Sequence, residues 1–237
     1  MIEVDRTRRL LVAAGTGLVV AGANFSVVQA EEKHDAEKEV TAVEDLMREH
    51  GVIRRAILVY RDIATKLRIK PASVDLKLLG RTADLFRSFG ENYHERELEE
   101  TLLFPVVRKA GGQASAYIDT LVSQHQRGRE LTDYVLAAVA KGSVSATEAD
   151  SLARLLDSVE LMYEHHAARE DTVVFRAWKE ALSPNQLDEM GEKFEEIEHR
   201  QFGKDGFENA VEQISAIEQA FGTADLERFT APPPAKL

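Results

Sequence analysis

Four of the seven histidines lie where they could share one site. His50, His94, His125 and His166 fall in four different helical segments, and each shares its side of a helix with apolar residues. A single histidine on an apolar face is most often an ordinary core residue. Burying four imidazoles with no common partner would leave several polar groups unpaired at a cost of a few kcal/mol each, whereas one metal ion satisfies several of them. The pattern therefore predicts a metal site.

Carboxylates and the absence of cysteine restrict the chemistry of this site. Glu170 follows His166 by one helical turn, and a cluster of glutamates follows His94. The chain has no cysteine, which excludes thiolate zinc sites, cysteine-ligated iron–sulfur clusters, thiol catalysis and disulfide scaffolds. Mixed nitrogen and oxygen ligands suit Fe, Mn or Zn better than Mg or Ca. Histidine and carboxylate on facing helices are typical of carboxylate-bridged di-iron bundles.

The elements that must position these residues are predicted to be helices. From Glu31 onward, apolar residues recur at spacings of three and four, with no sustained alternation of the kind a strand shows. The breaks fall at proline and glycine, and the connections are short, which places successive helices antiparallel. The sequence therefore predicts an all-α fold, an antiparallel up-down-up-down four-helix bundle over residues 41–182. Its four segments run from about Thr41 to Arg68, Ser73 to Ala110, Gln113 to Ala140 and Ser145 to Leu182.

The segments after the bundle differ in character. Residues 183–222 are predicted to form an acidic helical C-terminal extension, and residues 223–237, which include three consecutive prolines, a flexible tail. The formal net charge is -11, which repels nucleic acid in the absence of a basic patch. No Gly-rich phosphate loop is present. The sequence therefore predicts one domain with added helices and no nucleic-acid partner.

The first thirty residues have the parts of an export signal. Arginines precede a short apolar run from Leu10 to about Ala23, and a cleavage-site pattern with a small residue ends at Ala30. The pair Arg8-Arg9 resembles a twin-arginine signal. The apolar run is shorter than the roughly 20 residues that span a bilayer. We therefore expect residues 1–30 to be cleaved and the chain to be periplasmic, with no membrane span afterwards; the alternative is an uncleaved membrane anchor.

These motifs together resemble the haemerythrin-like, or HHE cation-binding, family. The resemblance covers about Thr41 to Trp178. It implies a four-helix bundle with a non-haem di-iron centre whose metal ligands are His50, His94, Glu99, His125, His166 and Glu170. The stretches that carry it are Glu49-His50-Gly51, Leu98 to Pro105 after His94, Gln124-His125-Gln126, and His166 to Phe175.

The sequence departs from the family pattern at two positions. The bridging glutamate of the family lies four residues after the second histidine, but here Leu98 stands there and Glu99 is five residues on. A π-bulge would absorb such an insertion and bring Glu99 into line; without it Glu97 would face the core better. Arg129 stands where oxygen-carrying haemerythrins have a further histidine.

The remaining polar residues near the motifs are given minor roles. Glu95 and Glu100 are interpreted as solvated or as partners of ligands, and His34, His165 and His199 as peripheral.

Three classes of function follow from this interpretation. The preferred class is a di-iron protein that binds or reacts with O2, NO or peroxide, in sensing, ligand binding or iron handling. A second is a di-iron oxidase or peroxidase. A third is a metal-free helical module that binds a partner through its acidic extension.

Overall fold

The computed structural model describes residues 40–235, and every regular element in this range is helical. The predicted all-α class is therefore confirmed. The predicted export signal lies outside the described residues. None of the described helices has the length and apolar character needed to cross a membrane. The α-helices are α1 Ala42–Ile69, α2 Leu76–Leu85, α3 Phe104–Ala110, α4 Gly112–Ser115, α5 Ile118–Ala140, α6 Ala146–Arg169, α7 Phe175–Glu180, α8 Pro184–Phe202 and α9 Gly206–Phe221.

Two π-helices interrupt the second and fourth predicted segments. The first, π1, spans Phe86–Leu103 between α2 and α3, and the second, π2, spans Glu170–Val174 between α6 and α7. The sequence predicts a single π-type insertion near His94, whereas the structure has π-helical hydrogen bonding over 18 residues. Short 3₁₀ turns lie at Pro71–Ser73 and Leu226–Phe229.

The long helices begin and end at residues that satisfy their free backbone groups. The Thr41 side chain accepts from the Glu44 backbone N–H at 3.3 Å, and the Glu44 carboxylate accepts from Thr41 N–H at 3.1 Å, which forms a capping box for α1. The box predicted at Ser145 and Glu148 is present at the start of α6. Lys66 and Arg68 lie in the last turn of α1, where cations are favourable.

The core lies between α1, α6, π1 and α5. Helix α1 packs most extensively against α6. Helix α2 packs on α5, and π1 contacts both α5 and α1. Their apolar faces form one cluster of buried side chains. The fully buried large side chains include Trp178, Tyr60, Tyr93, Phe86, Phe89, Phe104 and Phe175.

The helices after residue 183 share this core. The Arg55 guanidinium on α1 donates to the Glu218 carboxylate of α9 at 2.9 and 2.5 Å and to the Ser215 hydroxyl at 2.8 Å. The Trp178 and Phe194 rings stack with centroids 5.9 Å apart. The buried side chains that α8 and α9 contribute to the cluster are Phe194, Ile197, Ala210, Ile214 and Ile217.

Candidate metal centre

The four predicted histidines come from four elements and are all buried. His50 lies on α1, His94 on π1, His125 on α5 and His166 on α6, and none is more than 3% exposed. The His50 and His94 ring centroids lie 4.6 Å apart, and those of His125 and His166 4.8 Å apart. The structure therefore brings the predicted imidazoles together in the interior of the molecule.

Two fully buried carboxylates lie between these rings. Glu99 contacts His94 through Oε1, 3.4 Å from Nε2, and His125 through Oε2, 3.3 Å from Nε2. The Oε2 atom of Glu170 lies 3.0 Å from Nε2 of His166 and 3.6 Å from Nε2 of His50. All four histidines thus direct Nε2 toward a carboxylate. Both carboxylates lie in the π-helices.

The Nδ1 atoms of His94 and His50 each contact a carboxylate. Nδ1 of His94 lies 2.6 Å from Oε2 of the buried Glu49, and Nδ1 of His50 lies 2.7 Å from Oδ1 of Asp171. Arg54 also donates to Asp171. Because a carboxylate only accepts, each of these Nδ1 atoms donates to its carboxylate, and each Nε2 faces the centre.

The Nδ1 atoms of the other two histidines contact a carboxylate in one case and an amide oxygen in the other. Nδ1 of His125 lies 2.9 Å from Oε1 of Glu100. Nδ1 of His166 lies 2.9 Å from Oε1 of Gln124. Such partners on the second nitrogen are typical of metal-binding histidines, because they fix the tautomer and orient the ring.

The buried centre contains acceptors without donors. Nε2 of His94 and both carboxylate oxygens of Glu99 and Glu170 have no hydrogen-bond partner. Nε2 of His125 and Nε2 of His166 are 3.1 Å apart, so at most one of them can carry a proton directed at the other. Buried lone pairs that face one another are costly unless a cation lies between them. The residues present therefore fit a bound metal.

Without a metal, protons on the histidines partly neutralise the buried carboxylates. Burial lowers the pKa of His94, but Glu99 and Glu49 raise it well above its ordinary value. The pKa of His125 is raised in the same sense, against its burial, by Glu95, Glu100 and Glu99. Burial raises the pKa of Glu99, yet His94 and His125 bring it well below its usual range. Metal binding must displace these protons.

The donor atoms of the six predicted ligands fall into two groups that share a member. Ligand atoms of Glu99, His125, His166 and Glu170 lie within 4.8 Å of one another, and so do those of His50, His94 and Glu99. Because Glu99 belongs to both groups, its two oxygens are placed to serve two neighbouring positions. All members of both groups are buried.

The structure distinguishes between the two glutamates left open by the sequence. Glu97 is directed outward, where its carboxylate lies 3.4 Å from Arg200 and is 37% exposed. Glu99 lies beside His94 because π1 places residues five apart near one another.

Arg129 and Glu95 form a buried pair behind His125. Nη1 of Arg129 lies 3.3 Å from Oε2 of Glu95, and Nη2 lies 2.9 Å from Oε1 of Glu100. The Tyr163 hydroxyl donates to Oε1 of Glu95 at 2.8 Å. Of the two interpretations offered for Glu95 and Glu100, solvation is wrong for Glu95, which is 2% exposed and contacts Arg129, and Glu100 contacts the predicted ligand His125 directly.

Three partners of the histidines were not predicted from the sequence: Glu49, Asp171 and Gln124. A signal for them exists, because each is adjacent in sequence to a predicted site residue: His50, Glu170 and His125 respectively. Each holds the ring of a histidine on another element. By contrast, His165 and His199 are exposed, as expected.

Comparisons with known proteins agree with this geometry. The Hemerythrin HHE cation binding domain matches residues 41–178. An uncharacterized protein of Mycobacterium bovis and two from strains of Mycobacterium tuberculosis are 42% identical over 197 residues, which cover 83% of this chain and 76% of each relative. No solved structure shows significant similarity to the chain. The matched region contains the four buried histidines together with Glu99 and Glu170. The chain belongs to the hemerythrin HHE cation-binding family.

Proposed function

We propose that this protein holds a non-haem di-iron centre within an up-down-up-down four-helix bundle and that it binds or reacts with O2, NO or peroxide. The proposed ligands are His50, His94, His125 and His166 with the carboxylates of Glu99 and Glu170. The proposal extends the cation binding of the family to a particular metal, nuclearity and class of exogenous ligand.

The donor-free cluster is the observation that carries the proposal. Nε2 of His94 and all four oxygens of Glu99 and Glu170 are buried without a hydrogen-bond donor. Two adjacent cations would satisfy them, with Glu99 shared between the two groups of ligand atoms. In a metal-free helical module only protons on the histidines could neutralise this cluster, and burying charged groups without a functional gain destabilises the native state.

The residues around the centre define what it can do when loaded. Bound iron supplies one-electron chemistry and an open position for a small ligand. Four histidines are fewer than the five of oxygen-carrying haemerythrins, because Arg129 stands at the position of the fifth. Its guanidinium contacts Glu95 and Glu100. The Phe104 ring stacks on His125, and the Phe175 ring lies 5.2 Å from His50; both limit the access of water.

Metal analysis and optical spectroscopy test the proposal. The full chain is loaded with iron(II) without oxygen, the bound iron is counted, and spectra are recorded before and after O2, NO or hydrogen peroxide. We expect two irons per chain and a visible absorption that changes with at least one of these ligands. Catalytic consumption of peroxide would favour the enzyme, and stoichiometric change would favour the binding protein.

Two neighbouring histidines provide a matched pair of variants. His166→Ala should lose iron and the rise in melting temperature that iron causes, because ligand binding to the native state stabilises it. His165→Ala, which changes the exposed neighbour, should retain both. A wild-type chain whose melting temperature and spectrum ignore iron would instead support the metal-free interaction module.

We also propose that residues 1–30 direct export to the periplasm and are then removed. The support is the arginine pair followed by a short apolar run and Ala30. Mass spectrometry of the protein recovered from the periplasmic fraction of an expressing host tests this. The uncleaved mass in the membrane fraction would indicate an anchor.

A further inference from the structure

Arg129 connects the buried polar residues behind His125. It lies one turn after His125 on α5 and is 8% exposed. Its guanidinium lies 3.3 Å from Glu95 and 2.9 Å from Glu100, and Glu100 accepts from Nδ1 of His125 at 2.9 Å. We propose that Arg129 is the positioning residue of His125: by holding Glu100, it fixes the imidazole with Nε2 directed at Glu99. This inference rests on the proposed metal centre.

Glu95, the second carboxylate that contacts Arg129, is itself held by a hydrogen bond. Glu95 accepts from the Tyr163 hydroxyl at 2.8 Å, which ties π1 to α6. Gly128 makes this contact possible, because a Cβ at that position would overlap the Tyr163 hydroxyl. The contacts therefore run without a break from Tyr163 through Glu95, Arg129 and Glu100 to His125.

A second arginine provides an internal comparison. Arg54 donates to Asp171, which holds Nδ1 of His50, so each arginine supports one histidine through a carboxylate. The Arg54 side chain is 44% exposed, whereas that of Arg129 is 10% exposed. Solvent screens the exposed pair, while removal of the buried arginine leaves two carboxylates without their cation. We therefore expect His125 to depend on Arg129 far more than His50 depends on Arg54.

Cobalt binding measures this difference. Arg129→Met and Arg54→Met are made in the full chain, and the affinity for cobalt(II) chloride is determined by competition with a chelator while the visible spectrum of bound cobalt is recorded. Arg129→Met should weaken one of the two cobalt positions about 10- to 100-fold and alter its spectrum, as loss of a ligand's partner typically does. Arg54→Met should remain within about threefold of the wild type. Arg129→Lys should be intermediate, because an ammonium keeps the charge but lacks the planar fork that spans two carboxylates.

A double variant separates positioning from folding. In Arg129→Met the buried Glu95 carboxylate loses its cation. Combining this change with Glu95→Gln removes that carboxylate, and the amide oxygen introduced at position 95 still accepts from Tyr163. This variant should melt as the wild type does without metal, yet show the same loss of cobalt affinity. Proton NMR of the metal-free proteins provides a second readout: the Nδ1–H signal of His125 should be slowly exchanging in the wild type and in Arg54→Met, and lost by exchange in Arg129→Met.

The two proposals fail in different ways. If the wild type binds two cobalt ions, and Arg129→Met and the double variant bind them equally well, the positioning role is overturned and the metal centre stands. If the wild type binds no metal, the centre is wrong, and the NMR comparison between Arg129→Met and Arg54→Met decides alone whether Arg129 holds His125. Equal His125 signals in those two variants would overturn the positioning role in either case.

Discussion

Glu99 is the residue on which both halves of the candidate centre depend. Its Oε1 faces His94 and its Oε2 faces His125, each through Nε2 and at nearly equal distances of 3.4 and 3.3 Å. Neither oxygen has a hydrogen-bond donor, although the side chain is fully buried. A carboxylate in this position is suited to bridge two cations.

If the proposed di-iron centre is correct, replacing this carboxylate should abolish the binding of two irons. We expect Glu99→Gln to bind one iron per chain or none, because an amide supplies only one uncharged oxygen to the shared position. Glu97→Gln is the matched control, since that side chain is directed outward toward Arg200 and should leave iron content unchanged. Inductively coupled plasma analysis of both variants measures this. Equal loss in the two variants, or loss in Glu97→Gln alone, would contradict the assignment.

Glu91 is a buried acid outside the candidate centre. It accepts from the Thr132 hydroxyl at 2.6 Å and lies 3.0 Å from Nε of Arg87. Burial raises the pKa of Glu91 from 4.5 to about 7, against the opposing effect of the Thr132 hydrogen bond. The folded chain therefore keeps a proton that the unfolded chain releases between these pH values.

This difference predicts how stability changes with pH. As pH rises from 4.5 to 7, the unfolded state is increasingly favoured, so Glu91 reduces the free energy of unfolding by about 3 kcal/mol above pH 7. Glu91→Gln lacks this titration, so its stability relative to the wild type should rise by about that amount between pH 4 and pH 8. Urea unfolding of the metal-free proteins measures it. Asp133→Asn, which changes the exposed partner of Arg87, should show no such trend; a flat difference for Glu91→Gln would mean that the buried carboxyl is ionised.

The two π-helices are the elements that bring the carboxylates to the histidines. Glu99 lies within π1 and Glu170 opens π2, whereas three of the four histidines lie on regular α-helices. Because π-helical hydrogen bonds join residues five apart, π1 places Glu99 near His94 despite the extra residue between them. Local helix geometry thus determines which glutamate enters the interior.

The start of α1 supports a helix that contributes His50 and Glu49. Thr41→Ala removes the side chain that caps this helix and should lower the free energy of unfolding by about 1 kcal/mol. Thr65→Ala, in the interior of the same helix, removes a hydroxyl that bonds only the Arg61 carbonyl. It should be neutral or stabilising by a few tenths of a kcal/mol, because alanine is the better helix former. Urea unfolding of both variants is the measurement, and equal effects would contradict the capping role.

At the scale of the whole molecule, α8 and α9 belong to the packed core. Tyr93, the neighbour of His94, lies beneath them and contacts the Phe202 ring edge-on at 5.3 Å. Phe207 of α9 packs beside Phe89 and under the Arg48 guanidinium. These contacts cover the face of π1 that carries Phe89 and Tyr93, the residue before His94.

Truncation tests this role. Removing residues 183–237 should expose the buried aromatic face of π1 and the Trp178 ring, and we expect a clearly lower melting temperature with binding of a hydrophobic dye. Removing residues 223–237 alone should shift the melting temperature little, because residues 223–235, the part of this tail that the structure describes, are mostly exposed. The two truncated proteins are compared by circular dichroism and dye fluorescence. A stable 1–182 chain that binds no dye would show that the extension is dispensable.

The sequence by itself determined the helical class, the approximate spans of the helices and the inward side of each histidine. These features depend on local periodicity, caps and breaks, which are properties of neighbouring residues. His50, His94, His125 and His166 could be recognised because each lies on an apolar face of its own segment. The lack of cysteine limited the ligands before any contact was known.

The tertiary structure alone decided the contacts between elements. Whether Glu97 or Glu99 faces His94 depends on whether the helix hydrogen bonds join residues four apart, as in an α-helix, or five apart, as in π1. The Nδ1 partners and the Arg129 pair join residues between 25 and 121 positions apart, and the axial position of each helix sets these contacts. Periodicity along one helix carries no information on that position, because it arises only when the faces of several helices pack together.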